Sequence, residues 1–275
     1  MQYSQELVRS VDEYVADTGL EKFFSAGDPF VHEIATRASA LKNDPDTDLG
    51  KPENLKNLTV LSLYQLVIYC DDSASMSGKR FRQQHELVNR ITRVATKILP
   101  PDDFGVQLKF MNAKSEGALL NAGTIEGAYK KVKPTGGRTR IGTTMRSQIL
   151  DPLIYDVLNQ DSGRLQRPLL VCTITDGCPN GEAESKLKDE VAECRRFLRS
   201  KGYNPNAVMH CVCQIGDDAL ATAFLQQLRQ SKQIEDVLYV TTNRLDEEFE
   251  DLRSNERSLE SWLLGLLTKP IMSHS

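Results

Sequence analysis

Apolar positions follow two different periods along the chain from residue 58 onward. Nearly continuous apolar runs at 61–70, 167–177 and 207–216 predict strands that are buried on both faces of a sheet. Shorter runs at 106–112 and 236–242 predict two further strands. The strand candidates are thus spread over most of this part of the chain.

The segments between these strands have helical spacing, because their apolar residues recur every three or four positions. They predict helices over 81–99, 141–158, 182–200, 217–229 and 245–267. Strands that alternate with helices form a mostly parallel sheet with helices on both faces. We therefore expect an α/β fold built on a doubly wound, mostly parallel open sheet.

The first 57 residues are organised differently. Two apolar stripes predict helices before residue 40, and the polar, Pro- and Asp-rich stretch 42–57 predicts a loop or linker. The predicted division is an N-terminal helical extension with its linker, residues 1–57, followed by an α/β domain, residues 58–270.

Composition and charge exclude little but set the context. The net charge of −4 gives no global attraction to nucleic acid, and no apolar run is long enough to span a bilayer. The polar start of the sequence lacks the apolar segment of a secretory signal. We therefore expect a cytoplasmic protein without a membrane span or a nucleic-acid partner.

The cysteines agree with this expectation. Cys70, Cys172, Cys211 and Cys213 lie in apolar, strand-like runs, where a thiol usually acts as a small buried hydrophobe. Cys211 and Cys213 share one strand face, but without a second nearby pair they are a weak zinc signal. Reduced, buried thiols are the prediction.

Candidate chemistry is concentrated in three polar loops. They read CDDSASMSG (70–78), PTGGRTRIGTTM (134–145) and TDGCPNGE (175–182). The first and third follow predicted strands, and the second opens a predicted helix. Because ligands of open α/β sheets bind beyond the carboxyl ends of the strands, these loops are expected to converge on one site.

A nucleotide-binding phosphate loop is the first interpretation of the segment 70–80. Such a loop needs a glycine five residues before its Gly-Lys pair and a Ser or Thr after it. Here those positions hold Ser73 and Arg80, so the motif fails at both ends.

A phosphatase with an aspartate nucleophile is the second interpretation. It needs another carboxylate two residues after Asp71, where this chain has Ser73. The sequence also lacks a Gly-x-Ser-x-Gly motif, and its histidines lie outside the three loops.

A metal site is the third interpretation and fits the residues best. The motif Asp71-x-Ser73-x-Ser75, with Thr139 and Asp176 in the other two loops, resembles the metal-ion-dependent adhesion site of von Willebrand factor A domains. The resemblance covers roughly residues 60–245. The family usually reads Gly-Gly-Thr, whereas Arg138 stands before the threonine here.

The resemblance implies a Rossmann-like fold and a bound Mg²⁺, with Mn²⁺ or Ca²⁺ as alternatives. It implies that Ser73, Ser75 and Thr139 contact the ion directly, while Asp71 and Asp176 act largely through water. Hydroxyl and carboxylate oxygens are the ligands that Mg²⁺ prefers. Both carboxylates are expected at the rim of the sheet, and Asp72, which has no role in the family, is expected to cap the following turn.

The expected function is protein binding without catalysis. The resemblance implies that a partner presents an Asp or Glu carboxylate, which completes the coordination of the ion. Arg138 and Arg140 flank Thr139 and are candidates for attracting an acidic partner, with a solvated basic face as the alternative.

Two other functions stay open. A metal-dependent hydrolase could use the same ion as a Lewis acid, but it needs a general base, for which the loops offer only Asp72 as an extra candidate. Alternatively, the metal site is degenerate and the module binds through another face.

Overall fold

The centre of the fold is one parallel sheet. The computed structural model describes residues 2–42, 44–101, 104–114, 117–134 and 137–272. Its strands are β1 (Gln65–Cys70), β2 (Gln107–Phe110), β3 (Leu169–Thr175), β4 (Val208–Gln214) and β5 (Leu238–Val240). The order β2-β1-β3-β4-β5 reverses direction at β1, so a topological switch point lies between β1 and β3. This confirms the predicted doubly wound, Rossmann-like α/β fold.

The helices follow the apolar pattern closely. They are α1 (Gln2–Thr18), α2 (Pro29–Ala40), α3 (Pro52–Leu61), α4 (Lys79–Ala95), α5 (Ile125–Tyr129), α6 (Ile141–Met145), α7 (Asp156–Leu158), α8 (Lys186–Ser200), α9 (Ala219–Arg229), α10 (Leu245–Leu252) and α11 (Glu256–Met272). A π-helical segment, Arg146–Tyr155, joins α6 to α7. Pro152 lies in this segment and has no N–H to donate, which accounts for the change in winding.

The prediction of a single helix over 245–267 is wrong. The chain leaves α10 at Leu252 and starts α11 at Glu256. Between them, the Asn255 side chain accepts a hydrogen bond from the Ser258 amide at 3.1 Å, which is the contact of an N-cap residue. A cap inside an otherwise continuous apolar stripe therefore begins a new helix.

The polar stretch 42–57 is only partly a loop. Residues 52–57 begin α3, so the prediction of an irregular linker is wrong there. Pro52 occupies the first turn, where its missing N–H costs no helical hydrogen bond. The buried side chains Leu55 and Leu58 then attach this helix to the core.

The N-terminal helices pack into the same hydrophobic cluster as the sheet. The Tyr14 hydroxyl on α1 donates to the Ile271 carbonyl at 3.0 Å and lies 2.9 Å from the Tyr64 hydroxyl. The Thr47 hydroxyl donates to Glu260 of α11 at 2.5 Å. These buried contacts join residues before 58 to both ends of the α/β region.

A partly buried arginine adds a further connection. Arg167 donates hydrogen bonds to the carbonyl oxygens that follow α3, at residues 62–64. Its guanidinium also lies over the rings of Phe30 and Phe104, at 5.3 and 5.2 Å from their centroids. The segment before β3 is thereby attached to α2 and to the end of α3.

Candidate functional site

The first polar loop leaves β1 with its carboxylate turned inward. The Asp71 amide still donates to Ile174 of β3, at 2.9 Å, so this residue continues the sheet. Its carboxylate accepts from the Ser73 amide at 2.9 Å and from the Thr175 hydroxyl at 2.7 Å. The side chain is fully buried, and burial raises the pKa of Asp71 above its ordinary value.

The two serines connect this loop to the loop after β3. Ser73 Oγ lies 3.0 Å from Ser75 Oγ, and the Ser75 hydroxyl donates to Asp176 Oδ1 at 2.9 Å. Asp176 directly follows β3, next to β1 in the sheet. The predicted residues Asp71, Ser73, Ser75 and Asp176 are thus brought together at the switch point of the sheet.

Thr139 packs against the loop that carries Asp176. Its carbonyl accepts from the Asn180 amide at 2.9 Å, and the residue is buried. A Cβ built on Gly177 would lie 4.0 Å from Thr139 Oγ1, so the hydroxyl lies against the residue that follows Asp176. The threonine loop is therefore docked on the loop after β3, as the convergence of the three loops predicts.

Asp72 has a different role from the predicted turn cap. Its carboxylate accepts from the amides of Asn112 and Ala113, each at 2.8 Å, and from Asn112 Nδ2 at 3.0 Å. Asn112 in turn lies close against Gly137. A Cβ added to this glycine would be only 2.1 Å from Asn112 Oδ1, so a larger residue has no space there. Asp72 therefore positions the loop after β2, on which the threonine loop packs.

Glu182 is a site residue that the sequence analysis did not single out. Its two carboxylate oxygens accept from the Gly142 and Thr143 amides, each at 2.8 Å. Both amides lie in the first turn of the helix that begins at Ile141. Amides in a first turn have no acceptor within their own helix, and a negative charge there is favourable. The carboxylate fixes the threonine loop to the loop after β3. The sequence contained two indications of this contact: the glutamate that ends the third polar loop, and the start of a predicted helix at residue 141 within the second.

Arg80 is a second residue whose role the sequence analysis did not identify. Its guanidinium donates to Asp176 Oδ2 at 2.9 Å and to Asp217 Oδ1 at 3.1 Å. It passes so close to Gly216 (φ +78°) that a Cβ there would lie 2.6 Å from Arg80 Nε. Asp176, with no exposed side-chain surface, therefore has an internal cation on one oxygen and a serine on the other.

Both aspartates lie at the rim of the sheet, directly after β1 and β3, but their side chains are shielded from solvent. Asp71 and Asp176 are 0% and 1% exposed, because the loops after β1 and β3 fold over each other's carboxylates. The two arginines beside Thr139 are both exposed, as a contact with a partner requires. The aliphatic part of Arg138 lies over Gly181, where a Cβ would be 2.3 Å from its Cδ. Gly181, whose φ is +84°, thereby leaves room for Arg138, the residue that this loop has in addition to the usual Gly-Gly-Thr pattern.

The oxygen atoms fit a small hard cation. In an octahedron with metal–oxygen bonds of about 2.0–2.1 Å, neighbouring oxygens lie about 2.9 Å apart. The oxygens of Ser73 and Ser75, the two serines expected to contact the ion directly, are 3.0 Å apart. All of the donors are hydroxyl or carboxylate oxygens, so the residues are suited to Mg²⁺.

Comparison with known proteins finds similar solved structures. No family model and no curated protein matches the chain. Among solved structures, proximal thread matrix protein 1 from the mussel byssus (crystal form 2) is similar at 16% identity and a TM-score of 0.46. The match covers 74% of this chain and 47% of that chain. A superposition this loose supports no argument about function.

Among the residues that the structure describes, no helix combines the length and the apolar character needed to cross a bilayer.

Proposed function

We propose that this chain is a metal-dependent protein-binding module of the von Willebrand factor A type. Ser73, Ser75 and Thr139 would hold Mg²⁺ directly, and Asp71 and Asp176 would hold it largely through water, with Mn²⁺ or Ca²⁺ as substitutes. The observation that carries the proposal is the series of contacts that joins Asp71, Ser73, Ser75 and Asp176 into one cluster of hydroxyl and carboxylate groups, with the two serine oxygens 3.0 Å apart.

The chemistry favours recognition. When bound, the ion would supply an electrophilic centre, because neutral hydroxyls offset little of its charge, and a partner's Asp or Glu would complete the coordination. The chain's own residues orient the site: Asp72 fixes the loop after β2, and Glu182 fixes the threonine loop. Arg138 and Arg140 lie exposed beside Thr139 and would attract an acidic partner.

Hydrolysis by the same ion is less well supported. The candidate general base was Asp72, and its carboxylate accepts three hydrogen bonds from the loop after β2 while being fully buried. A carboxylate occupied in this way is poorly placed to take a proton from water.

We place the protein in the cytoplasm as part of the same proposal, supported by six free thiols.

Affinity capture from cell extract tests the proposal. The immobilised chain is incubated with Mg²⁺ or with excess EDTA, and bound proteins are identified by mass spectrometry. A partner should be retained with Mg²⁺ and lost with EDTA. Thr139→Ala should reduce its retention at least fivefold, whereas the exposed neighbour Thr143→Ala should not.

Charge reversal separates steering from coordination. Replacing Arg138 and Arg140 by glutamate should slow association with the retained partner, more strongly at low salt, because exposed charges are screened over about 10 Å at 0.1 M salt. A partner that is retained equally well in EDTA would contradict the proposal and place the working surface away from the oxygen cluster.

A further inference from the structure

Three thiols meet inside the sheet, away from the oxygen cluster. Cys172 on β3 is in register with Cys211 on β4, and Cys213 follows two residues later. Residues two apart on a strand, and register partners on parallel strands, point to the same face. The three sulfur atoms accordingly lie within 4.8 Å of one another, and Cys211 and Cys213 Sγ are 3.6 Å apart. All three residues have 0% exposure.

We infer that Cys172, Cys211 and Cys213 form a binding site for one thiophilic metal ion, Cu(I), held by three sulfur atoms. Three sulfurs around an ion with metal–sulfur bonds of about 2.3 Å lie about 4 Å apart. The Cys211–Cys213 sulfur separation of 3.6 Å is close to that value, and the two separations to Cys172 are at most 4.8 Å. Soft sulfur ligands select Cu(I) over hard cations such as Mg²⁺, so this site and the oxygen cluster would not compete for one metal.

The number of ligands decides between the thiophilic ions. Structural Zn²⁺ takes four ligands, whereas the described residues offer no fourth His, Cys, Asp or Glu atom within the same distance. His210 belongs to β4 but alternates to the opposite face from Cys211. Three sulfurs without a fourth ligand suit a trigonal ion.

The charge balance of the occupied site also favours a monovalent ion. Because a thiolate rather than a thiol is the effective metal ligand, copper binding requires one of the three thiols to lose its proton. On binding, one of the three thiols would release its proton to solvent and form a sulfur–copper bond, and the other two sulfurs would complete the trigonal set. The monovalent ion and this thiolate then leave no net charge in the core, where an uncompensated charge is costly.

Loading during folding provides the test, because a buried cluster has no solvent-exposed entry. The chain is refolded without oxygen in the presence of Cu(I), supplied as its acetonitrile complex, and bound copper is measured after gel filtration. A Cys178→Ala background removes the thiol that is partly exposed. We expect about one copper per chain, with an X-ray absorption spectrum that shows three sulfur neighbours at about 2.3 Å.

Matched variants locate the ion. Replacing Cys211 and Cys213 together by alanine should lower bound copper at least tenfold. The buried thiols Cys70 and Cys194, outside the cluster, serve as controls, and their alanine variants should retain the copper. If the double variant does not refold, the spectrum of the unmutated cluster still decides.

Three results would overturn the inference. The first is a folded chain that retains no copper, and the second is a folded double variant that retains it. The third is a spectrum with nitrogen or oxygen neighbours in place of sulfur. Retention of Zn²⁺ in preference to Cu(I), when both are supplied, would contradict the choice of ion. Because none of these readouts involves the oxygen cluster, failure here leaves the proposed protein-binding function unaffected.

Discussion

Arg80 is the residue that most changes the picture of the oxygen cluster. Its guanidinium occupies one oxygen of the Asp176 carboxylate, which has no exposed surface. An internal cation on this carboxylate reduces the negative potential that a divalent ion would meet. Metal and arginine are therefore expected to act against each other at Asp176.

Arg80→Gln should raise the affinity for Mg²⁺ about fivefold to thirtyfold. A hydrogen-bonded ion pair of this kind contributes about 1–2 kcal/mol, and 1.4 kcal/mol corresponds to a factor of ten. Calorimetric titration measures the effect, with the exposed Arg82→Gln as the control. A lower affinity in the Arg80 variant would show that the arginine positions Asp176 for the metal.

His210 makes stability depend on pH. Burial lowers its pKa to about 4, whereas in the unfolded chain it titrates near 6.5. Between these values the unfolded state binds the additional proton, so this contribution is complete above pH 6.5 and is lost as pH falls toward 4. The loss amounts to about 3 kcal/mol of unfolding free energy at most.

His210→Leu should therefore flatten the pH dependence of stability. Urea unfolding at pH 7 and pH 5 should show a smaller difference for this variant than for the native chain. The exposed His32→Gln should behave like the native chain. An unchanged difference for His210→Leu would show that the histidine stays neutral in both states, or is charged in both.

Residue types predicted much of the cluster, but its contacts could not be predicted. The spacing of Asp71, Ser73 and Ser75 indicated a set of oxygens, and Asp176 followed from its place after a buried strand. The partners of Asp72 and Arg80 lie 40 and 96 positions further along the chain. Their pairing depends on which strands are neighbours, which no local pattern specifies.

At the scale of elements, Glu182 connects the helix that begins at Ile141 to the loop after β3. It accepts two backbone hydrogen bonds at a helix N-terminus, where a carboxylate also interacts favourably with the helix dipole. Thr139 lies two residues before this helix. The position of the threonine therefore depends on a carboxylate from another element.

Glu182→Ala should lower the free energy of unfolding by about 1–2 kcal/mol and weaken Mg²⁺ binding severalfold. The exposed Glu184→Ala should change stability by less than about 0.5 kcal/mol. Chemical denaturation and calorimetric titration provide the two readouts. Loss of stability with unchanged metal affinity would remove Thr139 from the metal site, or show that its loop does not depend on Glu182.

Apolar period predicted most helices and strands but missed boundaries that depend on single polar residues. The stripe over 245–267 is continuous in sequence, and the Asn255 cap divides it. Conversely, Pro52 and the polar residues around it resemble a linker, while Leu55 and Leu58 bury α3 in the core. Such boundaries follow from tertiary burial and from one side-chain hydrogen bond.

At the scale of the molecule, the N-terminal helices share one core with the sheet. Removing residues 1–41 would expose the core surface around Tyr64 and Ile271, which Tyr14 covers. We expect the complete chain to unfold in one calorimetric transition, and the shortened chain to melt at a clearly lower temperature or to aggregate. A separate transition for the N-terminal helices, or a shortened chain of unchanged stability, would instead indicate two independent units.

Mg²⁺ titration of the native chain and of Asp71→Asn tests the central proposal most directly. Asparagine can still accept from the Ser73 amide and can donate to the Thr175 hydroxyl, whose own proton can turn to the Gly177 carbonyl at 3.3 Å, so the fold should persist. The account predicts one binding site in the native chain and at least a tenfold weaker site in the variant, with unchanged circular dichroism. A native chain that binds no Mg²⁺, or a folded variant that binds it equally well, would contradict the account.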